Sequence, residues 1–278
     1  MRLQQLVVVA SMLAACARED DAPGAGLPAR ATPLAAPDGD PAVGTRPPAN
    51  APAPRLNGTL QVDASVPPEG WPAPPDVPGC PSGMARVAGT SGDFCIHRFE
   101  VALASPRATL AARGGPVEAQ GRTLLRSAAG SAPTYGVTWY QAASACLANG
   151  WHLCTSGEWE DACDGTPGPG GRAHPVADDA RADVACNIRR GSTGRLAVSG
   201  RSPDCRTPEG VYDLEGNLWE WVDPQQVAAD GTPIIDKRGG GYYSGDLAGC
   251  AQAAVGSHRP DWDGTIGFRC CVGVDGGG

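Results

Sequence analysis

Aromatic residues make up only 5% of this 278-residue chain. With 39 Gly and 27 Pro beside them, that argues against the two folded domains such a length could hold. Positive charge is short as well: 22 Lys and Arg face 30 Asp and Glu, a formal net charge of −8. The electrostatic basis for binding nucleic acid or an anionic membrane face is therefore missing. No apolar run reaches the roughly 20 residues that a membrane-spanning helix needs. The 11 cysteines include no C-x-x-C pair of the zinc type. The histidines (His97, His152, His174, His258) show no H-x-x-x-H spacing and read as surface or packing residues. There is no G-x-S-x-G elbow, and the glycines of GGRAHP and GSTG precede no helix that could cradle a phosphate.

What is present points outside the cytosol. Eleven cysteines without a metal pattern suit an oxidising compartment. Arg2 begins a short positive region, and Leu6 to Ala15 form an apolar stretch ending in small residues, which predicts a signal peptide over 1–15. Leu13-Ala14-Ala15-Cys16 resembles a bacterial lipobox, in which the Cys16 thiol would be acylated; ordinary cleavage nearby, leaving Cys16 spare, is the alternative. Acylation at both thiol and amine would exceed the two-signal threshold for stable membrane anchoring. It would also leave ten cysteines, an even number. The expected address is the bacterial cell envelope, at the outer membrane or cell surface.

Residues 16–78 carry about half of the prolines and few large apolar side chains, so they predict a disordered, lipid-anchored tether. Trp71 within it reads as a spacer residue or, alternatively, a docking residue. The folded domain is expected over 79–278. Val87 and Phe94-Cys95-Ile96 flank GTSGD, a hairpin signal, and Ala104 to Pro133 reads as surface loop. Trp139, Ala142, Ala143 and Cys146 lie on one helical face that Gly150 ends. Thr155-Ser156-Gly157-Glu158 is a capping box opening a second helix that buries Trp159 and Cys163. Short strands, two helices and long cross-linked loops predict an α+β domain.

GVTWYQAASACLANGWHLCTSGEWEDACDG, GVYDLEGNLWEW, RGGGYY and IGFRCC occur in the order typical of the formylglycine-generating enzyme, or sulfatase-modifying factor, family, and FCIHRFEV resembles its early strand. The resemblance covers nearly all of 79–278 and implies a C-type-lectin-like fold. It does not by itself imply the activity.

In that family the oxidase chemistry uses O₂ and copper(I) held by two thiolates just after a Gly-Gly-Ser motif, as suits a soft ion. Here Gly241 stands where the Ser is expected and Ser244 where the first thiolate belongs. Cys250 lies one residue past the second position and reads as a disulfide partner. Copper is therefore not expected. The family's calcium pattern maps onto the side chains of Asp213 and Glu220 and the carbonyls of Gly216 and Leu218, oxygen donors of the kind Ca²⁺ takes. An acidic loop above two buried tryptophans is the alternative. A second calcium set matches Asn187 and Ile188, with no clear counterpart for its other ligands near Asp204. The resemblance also implies disulfides Cys146–Cys270 and Cys163–Cys250. Neighbours on a strand face opposite ways, so Cys271 needs another partner, with Cys154 left nearby; Cys80–Cys95 and Cys186–Cys205 follow by proximity.

Two function classes are expected. One is a calcium-stabilised binding or scaffolding module for an envelope protein, a peptide or a glycan. The other is a divergent oxidase, or another metal-dependent enzyme, on the same fold.

Overall fold

A computed structural model describes residues 62–103, 125–165, 171–176, 182–188, 195–224, 229, 234–256 and 265–274. The expected signal peptide, Cys16, residues 17–61 of the tether, His258 and residues 104–124 of the expected loop lie outside them.

The hairpin forms where the sequence places it. β1 (Met84–Val87) and β2 (Phe94–His97) pair antiparallel, with Val87 opposite Phe94 across the Gly-rich turn. Short strands β3 (Ala102–Leu103) and β4 (Leu125–Arg126) pair with each other. α1 (Trp139–Leu147) opens on a capping box: the Gln141 N–H donates to Thr138 Oγ1, and the Thr138 N–H donates to Gln141 Oε1. β5 (His152–Leu153) leads into α2 (Ser156–Asp164), capped in the same way by Thr155 and Glu158 and ended by Gly165 at φ 74°. Each cap satisfies backbone donors that a helix start leaves orphaned, an effect of about 1 kcal/mol.

The rest of the chain is loop and short strand. α3 (Ala182–Ala185) precedes β6 (Trp219–Trp221), β7 (Ile235–Gly239), a single 3₁₀ turn at Gly245–Leu247 and β8 (Gly249–Gly256). β9 (Ile266–Phe268) and β10 (Cys270–Gly273) end the described chain. Two four-stranded sheets result, in the orders β1-β2-β10-β5 and β8-β7-β6-β9. β9 runs parallel to β6 while β10 runs antiparallel to β2, so consecutive strands serve different sheets.

The core follows strand alternation. Phe94 and Ile96 of β2 pack with Trp159, Ala162, Val211 and Leu214, while Cys95 between them packs with Met84 and Val272. The apolar face of α1 packs on Trp221, Ile235, Ile266 and Phe268. Full burial of one such large side chain contributes about 1.5–3 kcal/mol.

Residues 62–78 depart from the expectation of a free tether up to residue 78. Asp63 forms a parallel bridge with Ala197, and the Trp71 ring lies against Gly130. Arg98 Nη2 donates to the Pro75 carbonyl, and Asp76 Oδ1 accepts from the Gly83 N–H at 3.2 Å. The strap is held by backbone, charged and single-ring contacts. A composition count of apolar residues registers none of these.

Candidate functional site

The loop from Asp213 to Leu218 turns through three residues with positive φ: Asp213 at 57°, Gly216 at 79° and Asn217 at 55°. Gly216 is required there, because a Cβ would stand 2.4 Å from the Asn187 carbonyl oxygen. The turn brings Asp213 and Asn217 into the interior beside Glu100, Glu220 and Arg269. Glu100 Oε2 accepts from Asn217 Nδ2 at 2.6 Å and from Ser199 Oγ at 3.0 Å, and Glu100 Oε1 accepts from the Leu218 N–H at 3.1 Å. Asp213 Oδ2 accepts from the Gly200 N–H at 2.6 Å. Glu220 accepts from Arg269 Nε at 2.8 and 2.9 Å and from Trp159 Nε1 at 2.8 Å. Arg269 is fully buried and also donates through Nη1 to the His97 carbonyl at 3.0 Å and through Nη2 to the Tyr212 carbonyl.

Three carboxylates thus share one buried space with one guanidinium. Burial pushes the Glu100 carboxyl well above the usual range, reinforced by the charges of Asp213 and Glu220. Burial raises Asp213 to about 6, against the opposing pull of the Gly200 N–H and Arg269. Glu220 is raised by the same cause, opposed first by Arg269.

The expected calcium ligands meet other partners. Glu220 spends its oxygens on Arg269 and Trp159, and Asp213 engages a backbone amide. Asn187 Nδ2 donates to Asn217 Oδ1 at 3.0 Å and to the Arg195 carbonyl at 2.9 Å; its own carbonyl accepts from the Asn217 N–H. The Ile188 carbonyl accepts from the Gly245 N–H at 2.8 Å. Among the described residues no three His, Cys, Asp or Glu side chains converge as a metal shell. As placed, the Asp213, Glu220 and Asn187 side chains and the Ile188 carbonyl hydrogen-bond within the protein, whereas Ca²⁺ takes six to eight oxygens turned toward it. The Arg269 guanidinium supplies positive charge beside Glu220, one of the expected ligands.

At the expected copper position, the Gly241 N–H donates to Ser244 Oγ at 2.9 Å and the Ser244 N–H donates back to the Gly241 carbonyl, closing a tight turn. Cys250 is bonded to Cys163. The other bridges are Cys80–Cys95, Cys146–Cys270, Cys154–Cys271 and Cys186–Cys205. All cysteines of the described residues are therefore disulfides. No thiolate remains among them to hold copper(I), and a serine hydroxyl is a poor substitute for that soft ion.

The histidines have separate partners. His97 is buried, and its Nδ1 accepts from the Cys270 N–H at 3.1 Å. His174 Nδ1 faces the buried Glu215 carboxylate at 2.9 Å. His152 pairs with Glu158 at 3.0 Å on the wall of an open groove of about 910 Å³ that also reaches Thr90, Asp161 and Arg172. The hydrogen bond to Glu158 raises the His152 pKa. Acidic residues of the groove wall have partners: Asp93 pairs with Arg86, Glu158 with His152, and Glu160 with Arg238.

Sequence reading missed Glu100, Asn217 and Arg269. Each sits inside a quoted motif, and the signal was a charged or amide residue within a strand-like apolar segment, where burial demands a partner.

Comparison with known proteins bears on the whole of this arrangement. The model of the sulfatase-modifying factor enzyme 1-like domain matches residues 85–274. The chain belongs to this family. Its α+β, C-type-lectin-like fold, with short strands, two principal helices and several disulfides, is the family's. The inactive C-alpha-formylglycine-generating enzyme 2 of Bos taurus is 29% identical over 157 residues, covering 51% of this chain and 50% of that protein. The formylglycine-generating enzyme of Bos taurus is 29% identical over 165 residues, 50% of this chain and 44% of that protein. A hercynine oxygenase of Mycolicibacterium smegmatis is 30% identical over 158 residues, 52% of this chain and 37% of that protein. The chain thus spans half or less of the length of these curated relatives. Among solved structures, PvdO of Pseudomonas aeruginosa aligns with a TM-score of 0.47 at 17% identity, over 65% of this chain and 80% of that one.

Proposed function

We propose that this chain is a non-oxidase member of the family, a binding or scaffolding module displayed at the bacterial cell envelope. In this reading Cys16 is acylated and anchors the chain to the membrane, and the folded domain meets an envelope protein, a peptide or a glycan. The observation that carries the proposal is the absence of a thiolate pair: Ser244 closes a turn on Gly241, and Cys250 is spent on Cys163. A relative bearing the word inactive in its name supports the idea that the scaffold is kept without the oxidation. Stability in this reading comes from five disulfides and the Arg269 network, not from calcium.

The decisive test uses purified full chain, loaded with copper(I) and offered a sulfatase-motif peptide with O₂. No formylglycine is expected, and thiol titration of the folded domain is expected to read zero. Peptide turnover that Cys250→Ala abolishes would instead establish the divergent oxidase. For the anchor, Cys16→Ser is expected to move the protein from the detergent phase to the aqueous phase or to leave its signal uncleaved; unchanged partitioning removes acylation from the proposal.

A further inference from the structure

Apart from the contacts of Pro75 and Asp76 with Arg98 and Gly83, the strap over residues 62–76 bonds to segment 195–201 through Asp63 and Ser65. The Asp63 N–H donates to the Leu196 carbonyl at 2.8 Å, and the Val198 N–H donates to the Asp63 carbonyl at 3.0 Å. Arg201 Nε donates to Ser65 Oγ at 2.7 Å and lies 3.7 Å from Asp63 Oδ2. Trp71 acts on the same segment through its neighbour. Its ring covers Gly130, whose N–H donates to the Ser199 carbonyl at 2.8 Å, while the Ser199 N–H donates to the Ser131 carbonyl at 3.0 Å.

The inner side of 195–201 closes the buried carboxylates. The Ala197 N–H donates to Asn217 Oδ1 at 2.9 Å, the Gly200 N–H to Asp213 Oδ2 at 2.6 Å, and Ser199 Oγ to Glu100 Oε2 at 3.0 Å. Leu196, Ala197, Val198 and Ser199 are all buried. The segment has neither helix nor strand of its own beyond the isolated bridge to Asp63. Its position therefore depends on contacts on its two sides, and local opening starts in segments whose stability is borrowed in this way.

We propose that residues 62–76 are a latch: seated, they hold segment 195–201 closed over Glu100 and Asp213, and released, they let it open and admit water to those carboxylates. In sequence the latch follows residues 1–61, so a ligand of those residues that displaces it would act on the interior of the domain. The proposal does not depend on the lipid anchor or on the loss of oxidase activity, and it holds if either fails.

Amide hydrogen exchange on the full chain tests it at residue resolution by NMR. The reporters are the Ala197 and Gly200 amides, because their acceptors belong to the buried cluster and not to the strap. Asp63→Pro removes the donor to Leu196, and Trp71→Gly removes the ring over Gly130. Each variant is expected to speed exchange at Ala197 and Gly200 at least tenfold while leaving the amides of α1 and α2 unchanged. Glu69→Ala, at the exposed turn of the same strap, is expected to change nothing. Unaltered rates at both reporters in both variants overturn the latch. So does acceleration spread evenly through α1 and α2, or an equal effect from Glu69→Ala. Having two variants at opposite ends of the strap keeps the test open should Asp63→Pro fail to fold.

Discussion

Acidification from pH 7 to 4 is expected to destabilise the domain through His97. This imidazole sits on β2 with 2% exposure, edge-on to Trp151 at 5.0 Å. The Cys270 N–H can only donate, so the His97 Nδ1 that receives it is unprotonated and the ring proton is on Nε2. Burial, with Arg269 nearby, lowers its pKa from 6.5 to about 3. Between those values the unfolded chain binds a proton that the folded chain refuses. The contribution is thus fully present above about pH 6.5 and is lost as pH falls toward 3. At about 1.4 kcal/mol per pH unit, the loss is about 3 kcal/mol at pH 4, or a melting temperature lower by about 6–12 °C in a domain of this size. Glu100 and Asp213 act in the opposite sense: their raised folded pKa values add stability at low pH that is lost as pH rises through them. The assay therefore compares wild type with His97→Gln, whose amide oxygen can accept from Cys270 without titrating. Melts at pH 7, 5.5 and 4, with disulfides intact, should converge as pH falls. Parallel pH profiles for the two proteins, or a ring titrating near 6.5 by NMR, refute the reasoning.

Glu220→Gln leaves Arg269 buried against a neutral partner and is expected to cost about 3–5 kcal/mol, read by urea unfolding; a change below about 1 kcal/mol shows that the pair is dispensable. Verified removal of bound metal by chelator should leave the wild-type melting temperature unchanged, and a clear loss supports the calcium assignment. Cys146–Cys270 and Cys154–Cys271 close loops of 124 and 117 residues that nearly coincide. With one bridge intact, the other closes only a loop of about 10 residues, and Cys163–Cys250 holds the loop left by both to about 38, so deleting either is expected to cost about 2.7 kcal/mol and deleting both about 6.5. Strict additivity of the two deletions contradicts this account.

Local rules made much of the fold legible. The hairpin, both helix faces and the Thr155 cap follow from alternation, i,i+3/i+4 spacing and cap chemistry, and each is local in sequence. The separation of Cys270 from Cys271 followed from strand alternation, and their bonds to Cys146 and Cys154 lie on opposite faces. The buried network was not legible in the same way. Glu100 meets Leu218 across 118 residues and Arg269 meets Glu220 across 49; no periodicity encodes such a meeting. Calcium was expected at Asp213 and Glu220 because the family's calcium pattern maps onto them, and the sequence does not reveal that a guanidinium from the last strands reaches Glu220. The strap was missed for a related reason. Proline-rich chain has little apolar surface to bury, yet its carbonyls remain good acceptors, and Arg98 uses the one on Pro75.

These long-range meetings converge on residues 268–271. Phe268, Arg269, Cys270 and Cys271 are all fully buried, and each faces a different part of the molecule. Phe268 belongs to β9 and packs beneath α1, while Arg269 reaches Glu220 of β6, the neighbour of β9 in the same sheet. Cys270 bonds to α1 through Cys146, and Cys271 bonds to the residue before Thr155, which caps α2. One residue thus separates the strand of one sheet from the strand of the other, and that residue carries the only charge in the run. An apolar residue at 269 would pack as well but would leave Glu220 without its guanidinium and the His97 and Tyr212 carbonyls without its donors, and buried polar groups left unmatched cost more than lost packing. The arginine therefore serves the crossing of the sheets: the His97 carbonyl at the end of β2, the Tyr212 carbonyl and the Glu220 carboxylate all need donors in a dry interior, and guanidinium with its five N–H groups supplies them.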